Sequence, residues 1–316
     1  MFTHQQSTRN TEDKKLVQII MLTIIPKAPA LNFHVISPLY NTNPCSSPPL
    51  VLNSQSRLKF PSQRRRFLVQ ASSVALPLLP FPIDQVLVPS EVKTLHLFEA
   101  RYIALLEESL YQKNKLFVHF VLDPIGFAGT SVEEAARYSC LAIIEKVERL
   151  EIGALVLIRG VGRVKILDFK QDEPYLTGEV MPLQDNVLNN EKDLMSRVSE
   201  LKEALHSLNS LEIKLKVSKE IQLQTQTKNS VFWAEKQLSS DSFVNFVPSV
   251  AERVSFAALQ PVSGASKSDL LELQREKLRA MDVKDTVERL EISMAVARNN
   301  ISMLAAKLAI QSLEMI

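Results

Sequence analysis

The chain has 316 residues, 46% hydrophobic and 23% charged, the balance of a globular protein with enough apolar side chains for one large domain or two ordinary ones. With 37 Lys and Arg against 35 Asp and Glu, its formal charge is only +2. Two cysteines exclude a disulfide framework, and no uninterrupted apolar run reaches the roughly 18 to 20 residues of a membrane span.

The charge is unevenly spread. The first 72 residues carry nine Lys or Arg, including Arg64-Arg65-Arg66, against Glu12 and Asp13, which leaves 28 basic and 33 acidic residues downstream. Seven prolines fall between Pro26 and Pro61 among many Ser and Asn, a composition that cannot bury enough surface to order itself. A basic, acid-poor leader of this kind predicts an organelle transit peptide over 1–71, disordered and removed before Ser72. Val69-Gln70-Ala71 resembles a plastid processing site, so the expected location is the chloroplast stroma. Arg64 to Leu68 also resembles a twin-arginine signal for the thylakoid lumen, but the apolar residues after it belong to the first strand. Glu12 and Asp13 are unusual so near the start of a transit peptide and make Met21 an alternative start. Cys45 lies in the leader; Cys140 sits in an apolar run and is expected to be a buried, inert thiol.

The body opens on Leu76, Leu78, Phe81 and Ile83, interrupted by Pro77, Pro80 and Pro82. Proline offers no ladder donor, so an edge or end strand is predicted. Pro89 and Ser90 turn a second apolar patch, and Leu95 and Leu97 then alternate with Thr94, His96 and Phe98 as in a strand. From Glu99 to Gln112 the period becomes helical, with Tyr102, Leu105, Leu106 and Leu110 on one face. Residues 116–122, with a structural His119, read as a strand by β-branched and aromatic content, and 123–137 as a loop with a short helix. Residues 140–150 and 154–169 read as strands folded about Gly153, whose tolerance of positive φ suits a tight hairpin. Gly160 and Gly162 predict a bulge in the second of these; no Gly-Lys-Ser/Thr follows to make them a phosphate loop.

Beyond residue 190 the pattern is helical. Leu194, Val198, Leu201, Leu205 and Leu208 mark an amphipathic helix, and 212–228 reads as a polar, mobile connector. Two shorter helices are predicted over 231–246 and 249–259, with Phe232, Trp233, Phe243 and Phe246 as packing residues. Ser268 or Asp269 can cap a helix over 270–280, and Asp282 a last one over 282–313. The last carries a regular stripe of Val283, Val287, Leu290, Met294, Ala297, Ile301, Leu304 and Leu308. A rod of about 45 Å needs a partner for such a stripe. It is expected within this chain, a dimer seam with a second copy being the alternative.

Leu76-Pro77-Leu78, Pro80 and Pro89, followed by Leu95-His96-Leu97-Phe98-Glu99, Arg101 and Tyr102, resemble the opening of the Lon N-terminal domain, the substrate-binding domain of ATP-dependent protease La. Gly160 and Arg163 resemble that family's G-x-x-R segment. Pro174-Tyr175-Leu176 with Gly178-Glu179-Val180 resembles its closing strand, Gly178 standing where alanine is usual. The resemblance implies an α+β fold: a PUA-like β pseudobarrel over 75–185 followed by a helical bundle over 190–316. It also implies a stand-alone plastid member that binds unfolded or exposed apolar segments of other proteins. Such a protein would be an adaptor or chaperone-like factor beside a plastid protease or chaperone. The motif residues are read as structural, with Glu99 at the positive end of the helix and Arg101 in an ion pair.

Chemistry of its own is not expected of this chain. No G-x-x-x-x-G-K-[ST] occurs, Ser218-Lys219 and Ser266-Lys267 lie in polar connectors, and His96, His119 and His206 have no metal spacing. No catalytic residue, cofactor or metal is therefore predicted, against the alternative of an active Lon peptidase. Related pseudobarrels bind RNA, and Lys146, Arg149, Arg159, Arg163 and Lys165 would form the face for it; a body near −5 opposes that alternative. A receptor similar to cereblon would need zinc-ligating cysteines that the chain lacks.

Overall fold

The computed structural model describes residues 19–21, 73–128, 131–171, 173–186, 191–215, 225–236 and 244–314, with backbone only over 19–21, 124–128 and 131–135 and at 171, 191, 244 and 314. The transit peptide, apart from 19–21, and its cleavage site lie outside the described residues, as do Cys45, Ser218-Lys219 and Phe243.

Seven strands form one sheet: β1 (Ile19–Met21), β2 (Val74–Pro82), β3 (Val92–Leu97), β4 (Leu116–Ala128), β5 (Ser131–Arg149), β6 (Ala154–Gln171) and β7 (Thr177–Pro182). Their order is β1-β3-β6-β5-β4-β2-β7, and β7 also pairs with β6, so five strands close into a ring. The 18-residue β6 makes this closure. Its first half pairs with β3 through Ala154–Arg159 and its second half with β7 from Val164 onward. Helix α1 (Ala100–Gln112) follows β3 and buries Tyr102, Leu105 and Leu106 in the barrel core. Burial of such side chains contributes about 1.5–3 kcal/mol each.

Two strand expectations change. β2 is an inner strand, between β4 and β7. Its prolines are tolerated because the pairing divides: residues 74–77 face β7 and residues 78–82 face β4, so no ladder position needs partners on both sides. The stretch 123–137, read as loop and helix from Asp123, Pro124, Gly126 and Gly129, instead extends the pairing of β4 and β5 over its described residues, 123–128 and 131–137. The hairpin about Gly153 forms as expected, with φ +82 there. A Cβ would stand 2.2 Å from the Leu97 carbonyl oxygen, so no other residue fits. The bulge also forms: Leu141 pairs with Gly162 and Ala142 with Gly160, leaving Val161 as the extra residue.

The helical half contains α2 (Glu191–Leu215), α3 (Gln226–Glu235), α4 (Val250–Ala257), α5 (Lys267–Asp282) and α6 (Thr286–Glu314). The stripes of α2 and α6 meet each other, with Val198, Leu201, Leu205, Leu208, Leu290, Ala297 and Leu304 in one buried cluster. Arg197 pairs with Glu291 near one end (2.6 Å), and Leu215 and Lys307 flank Gly264 at the other, so the two helices run side by side in the same direction. The stripe of α6 is thus covered within this chain from Leu290 to Leu304.

Several helix boundaries differ from expectation. Ser266, not Ser268 or Asp269, caps α5, in a capping box closed by the Asp269 carboxylate. Asp282 ends α5 instead of starting the last helix; Asp285 Oδ1 accepts the Val287 N–H at the start of α6. Glu212, expected in a connector, is 1% exposed and accepts the Ser263 N–H. Phe232, expected to pack, is 70% exposed, while Trp233 and Phe246 are buried against the barrel.

Candidate functional site

The family-motif residues are spread along the barrel rather than gathered at one point. Pro77, Leu78 and Pro80 lie in β2, and Pro89 is buried in the turn before β3. His96, in β3, places Nε2 3.1 Å from the Ile152 carbonyl oxygen, and its ring is tilted against exposed Phe98. Glu99 is the N-cap of α1, but its side chain makes no cap bond; it accepts from Arg101 Nε at 2.7 Å. Arg101 in turn lies over the Tyr102 ring. Tyr175 donates to Glu108 of α1, fastening the segment Pro174-Tyr175 to that helix. Gly160 is flush against the turn before β3: Ser90 N–H donates to its carbonyl, and its own N–H donates to Glu91 O. His119 is fully buried and stacked on Phe81 at 3.9 Å, and burial holds its pKa well below the ordinary value. Burial likewise raises the Cys140 thiol pKa, leaving it a neutral, unreactive group.

What the motif residues do reach is the seam between barrel and helices. Arg163, 1% exposed, leaves β6 and donates to Asp185, to Glu252 of α4 (2.9 Å) and to the carbonyls of Met281 (3.1 Å) and Val283. Arg289 of α6 donates to the same Asp185 and to Val283 O and Ser255 Oγ. Both guanidinium groups lie against the Phe256 ring. Two arginines thus face two carboxylates in a closed, water-poor hub. Burial raises the Glu252 pKa against the pull of Arg163, and burial together with Arg163 lowers that of Arg289 to about 10.

Two further ties flank this hub. Lys277 of α5 donates to Glu91 (2.7 Å), beside Lys93, whose ammonium donates to Gln85 O (2.7 Å) and Val86 O (2.9 Å). Arg159 pairs with Glu145, donates to Asn229 of α3 (3.0 Å) and lies over Trp233. Arg159 and Arg163 were expected on a solvated basic face. Both are buried, because helices cover the outer side of β6, and the face proposed for RNA loses its centre. Of the rest, Lys146 pairs with Glu148 and Arg149 with Glu107.

An open surface feature lies between α5 and α6, a groove of about 280 Å³. Its floor is apolar, from Leu273, Ile292, Val296 and Met303. Asp269, Glu272 and Glu276 stand along it with a single cation, Arg279, and Asn299 and Asn300 come from α6. Gln260, 2% exposed, is also among the lining residues, and its side-chain Nε2 has no hydrogen-bond partner. The dominant stripe of α6, from Leu290 to Leu304, hides this groove in the sequence. Ile292, Val296 and Met303 form a second, legible at steps of four and seven.

Among the described residues no group of three His, Cys, Asp or Glu side chains is placed to hold a metal ion, and no helix is long and apolar enough to cross a membrane.

Residues 75–291 match the family described as ATP-dependent protease La (LON) substrate-binding domain. Over 111 residues the chain is 30% identical to the Lon protease of Nitrosococcus oceani, an alignment that covers 35% of this chain and 14% of that protein. Among solved structures it is similar to the N-terminal domain of Mycobacterium avium complex Lon protease, with TM-score 0.43 and 16% identity over 71% of this chain and 98% of that one. It is also similar to a Lon N-terminal domain protein from Xanthomonas campestris, with TM-score 0.39 and 19% identity over 70% of this chain and 98% of that one.

Proposed function

We propose, because this chain belongs to the family of ATP-dependent protease La (LON) substrate-binding domains, that it is a module that holds exposed apolar segments of other proteins. The observation that carries this reading is the extent of the match, which runs from β2 through the barrel and across α2 to α5 into α6. The finer part of the proposal is a role as adaptor or chaperone-like factor in the chloroplast stroma, without ATP hydrolysis or peptide cleavage by this chain. Its support is that the matched domain is the family's non-catalytic one, together with the basic, acid-poor first 72 residues.

Titrating the full chain into a labelled, reduced and carboxymethylated polypeptide should raise its fluorescence anisotropy with a Kd on the order of micromolar, unchanged by ATP and magnesium and without cleavage. No binding, or ATP-dependent cleavage, would overturn the reading. For the location, chain synthesised in vitro and offered to isolated chloroplasts should emerge shortened and protease-protected in the stroma. A product left outside at full length would remove the plastid from the proposal.

A further inference from the structure

We propose that the α5–α6 groove docks a short polypeptide segment in which apolar side chains are flanked by lysine or arginine. The proposal rests on the protein-binding reading above and names the chemistry of what is bound.

Three observations select this occupant. The floor offers Ile292, Val296 and Met303, an apolar strip with room for a few side chains but not for a folded domain. The charged groups along it are three carboxylates, of which Asp269 also caps α5 and Glu276 lies 3.8 Å from Arg279, the one guanidinium among the lining residues, so the groove keeps a net negative charge and disfavours an acidic segment. Glu272 is already paired with Arg275 at 2.8 Å, but both side chains are more than half exposed, and such a pair yields readily to an incoming ammonium. The third observation is Gln260. A buried amide donor without a partner is costly, and an extended segment presents a carbonyl acceptor at every residue. Gln260, Asn299 and Asn300 all line the groove and place side-chain amides beside such a backbone, leaving the floor to the apolar side chains.

The test uses the full chain and two labelled ten-residue peptides with the same apolar centre, one flanked by lysines and one by glutamates. The lysine peptide should bind at least tenfold more tightly, and E272K/E276K should reverse that order. Gln260→Leu, which removes the unpaired donor while keeping the volume, should raise the melting temperature of the free chain and weaken the lysine peptide several-fold. A structural glutamine would not move these two readouts in opposite directions. Equal affinity for the two peptides, or a preference untouched by E272K/E276K, would overturn the groove assignment while binding of the unfolded polypeptide left the family reading standing. Preference for the glutamate peptide would overturn the stated chemistry. If neither peptide nor the unfolded polypeptide binds, both proposals fall.

Discussion

Replacing Arg163 with alanine should lower the thermal midpoint by on the order of 10 °C and resolve one unfolding transition into two. Arg163 is one of two cations facing Asp185 and Glu252 in a site closed to water. Removing one partner of a buried charge group leaves an uncompensated carboxylate, at a cost of about 3–5 kcal/mol. In a domain of this size each kcal/mol moves the midpoint by about 2–4 °C. The transition should divide because Arg163 is rooted in the barrel and its partners lie on the helical side, on α4, on the approach to α6 and on the segment leaving β7. Circular dichroism follows the helices, and Trp233 fluorescence follows the seam. Arg163→Lys should not restore the midpoint, since one ammonium cannot serve four acceptors spread around a planar fork. An unchanged midpoint for the alanine variant would show that the hub contributes nothing to holding the halves together.

Stability should rise with pH between about 8 and the ordinary lysine range, and Lys93→Met should abolish that rise. Lys93 and Lys277 share the single carboxylate Glu91 in the barrel wall, one cation too many for a buried site. Burial, opposed by Glu91 and assisted by Lys277, brings the Lys93 pKa from 10.5 down to about 8. The group is depressed in the folded state, so above pH 8 the unfolded chain binds more protons than the folded one, and stability climbs until both forms are neutral. The contribution is lost as pH falls through 8. The slope it adds approaches about 1.4 kcal/mol per pH unit. Urea unfolding of both forms at pH 7, 8.5 and 10 reads it; parallel stability curves would show that Lys93 keeps its proton in the fold. Methionine fits the stem of the lysine, so the comparison is not confounded by a cavity.

The barrel was largely legible because its signals are local: alternation in β3, helical spacing in α1, and a positive-φ glycine between two apolar strands. Where tertiary pairing decides, local signals misled. Asp123, Pro124 and Gly126 are turn-formers, yet the hairpin carries through them with register shifts that absorb the irregularity. Ser266, Ser268 and Asp269 are all competent caps, and only the closed geometry chooses Ser266. The seam was not legible at all. Residues 158–164 of β6 are buried on both faces, which erases the alternation, and the covering groups arrive from Asp185 to Arg289, far along the chain. On α6, Thr286, Arg289 and Ser293 form a polar row at helical spacing on a buried side, a pattern that reads as solvated until its partners are in place.

The distance in sequence between partners at the seam also sets an order of events during synthesis. Glu91 and Lys277 are separated by 186 positions. A ribosome adding about 5–20 residues per second needs roughly 10 to 40 s to bridge them. Throughout that interval the emerging barrel carries Arg163 without Glu252, and Glu91 without Lys277, the groups that later enclose them. Hydration stands in for the missing partners, and the apolar surface destined for Phe256, Met281 and Trp233 stays uncovered beside them. The nascent barrel therefore passes through a period in which it is itself a polypeptide with exposed apolar segments, and its own completion depends on the last third of the chain arriving.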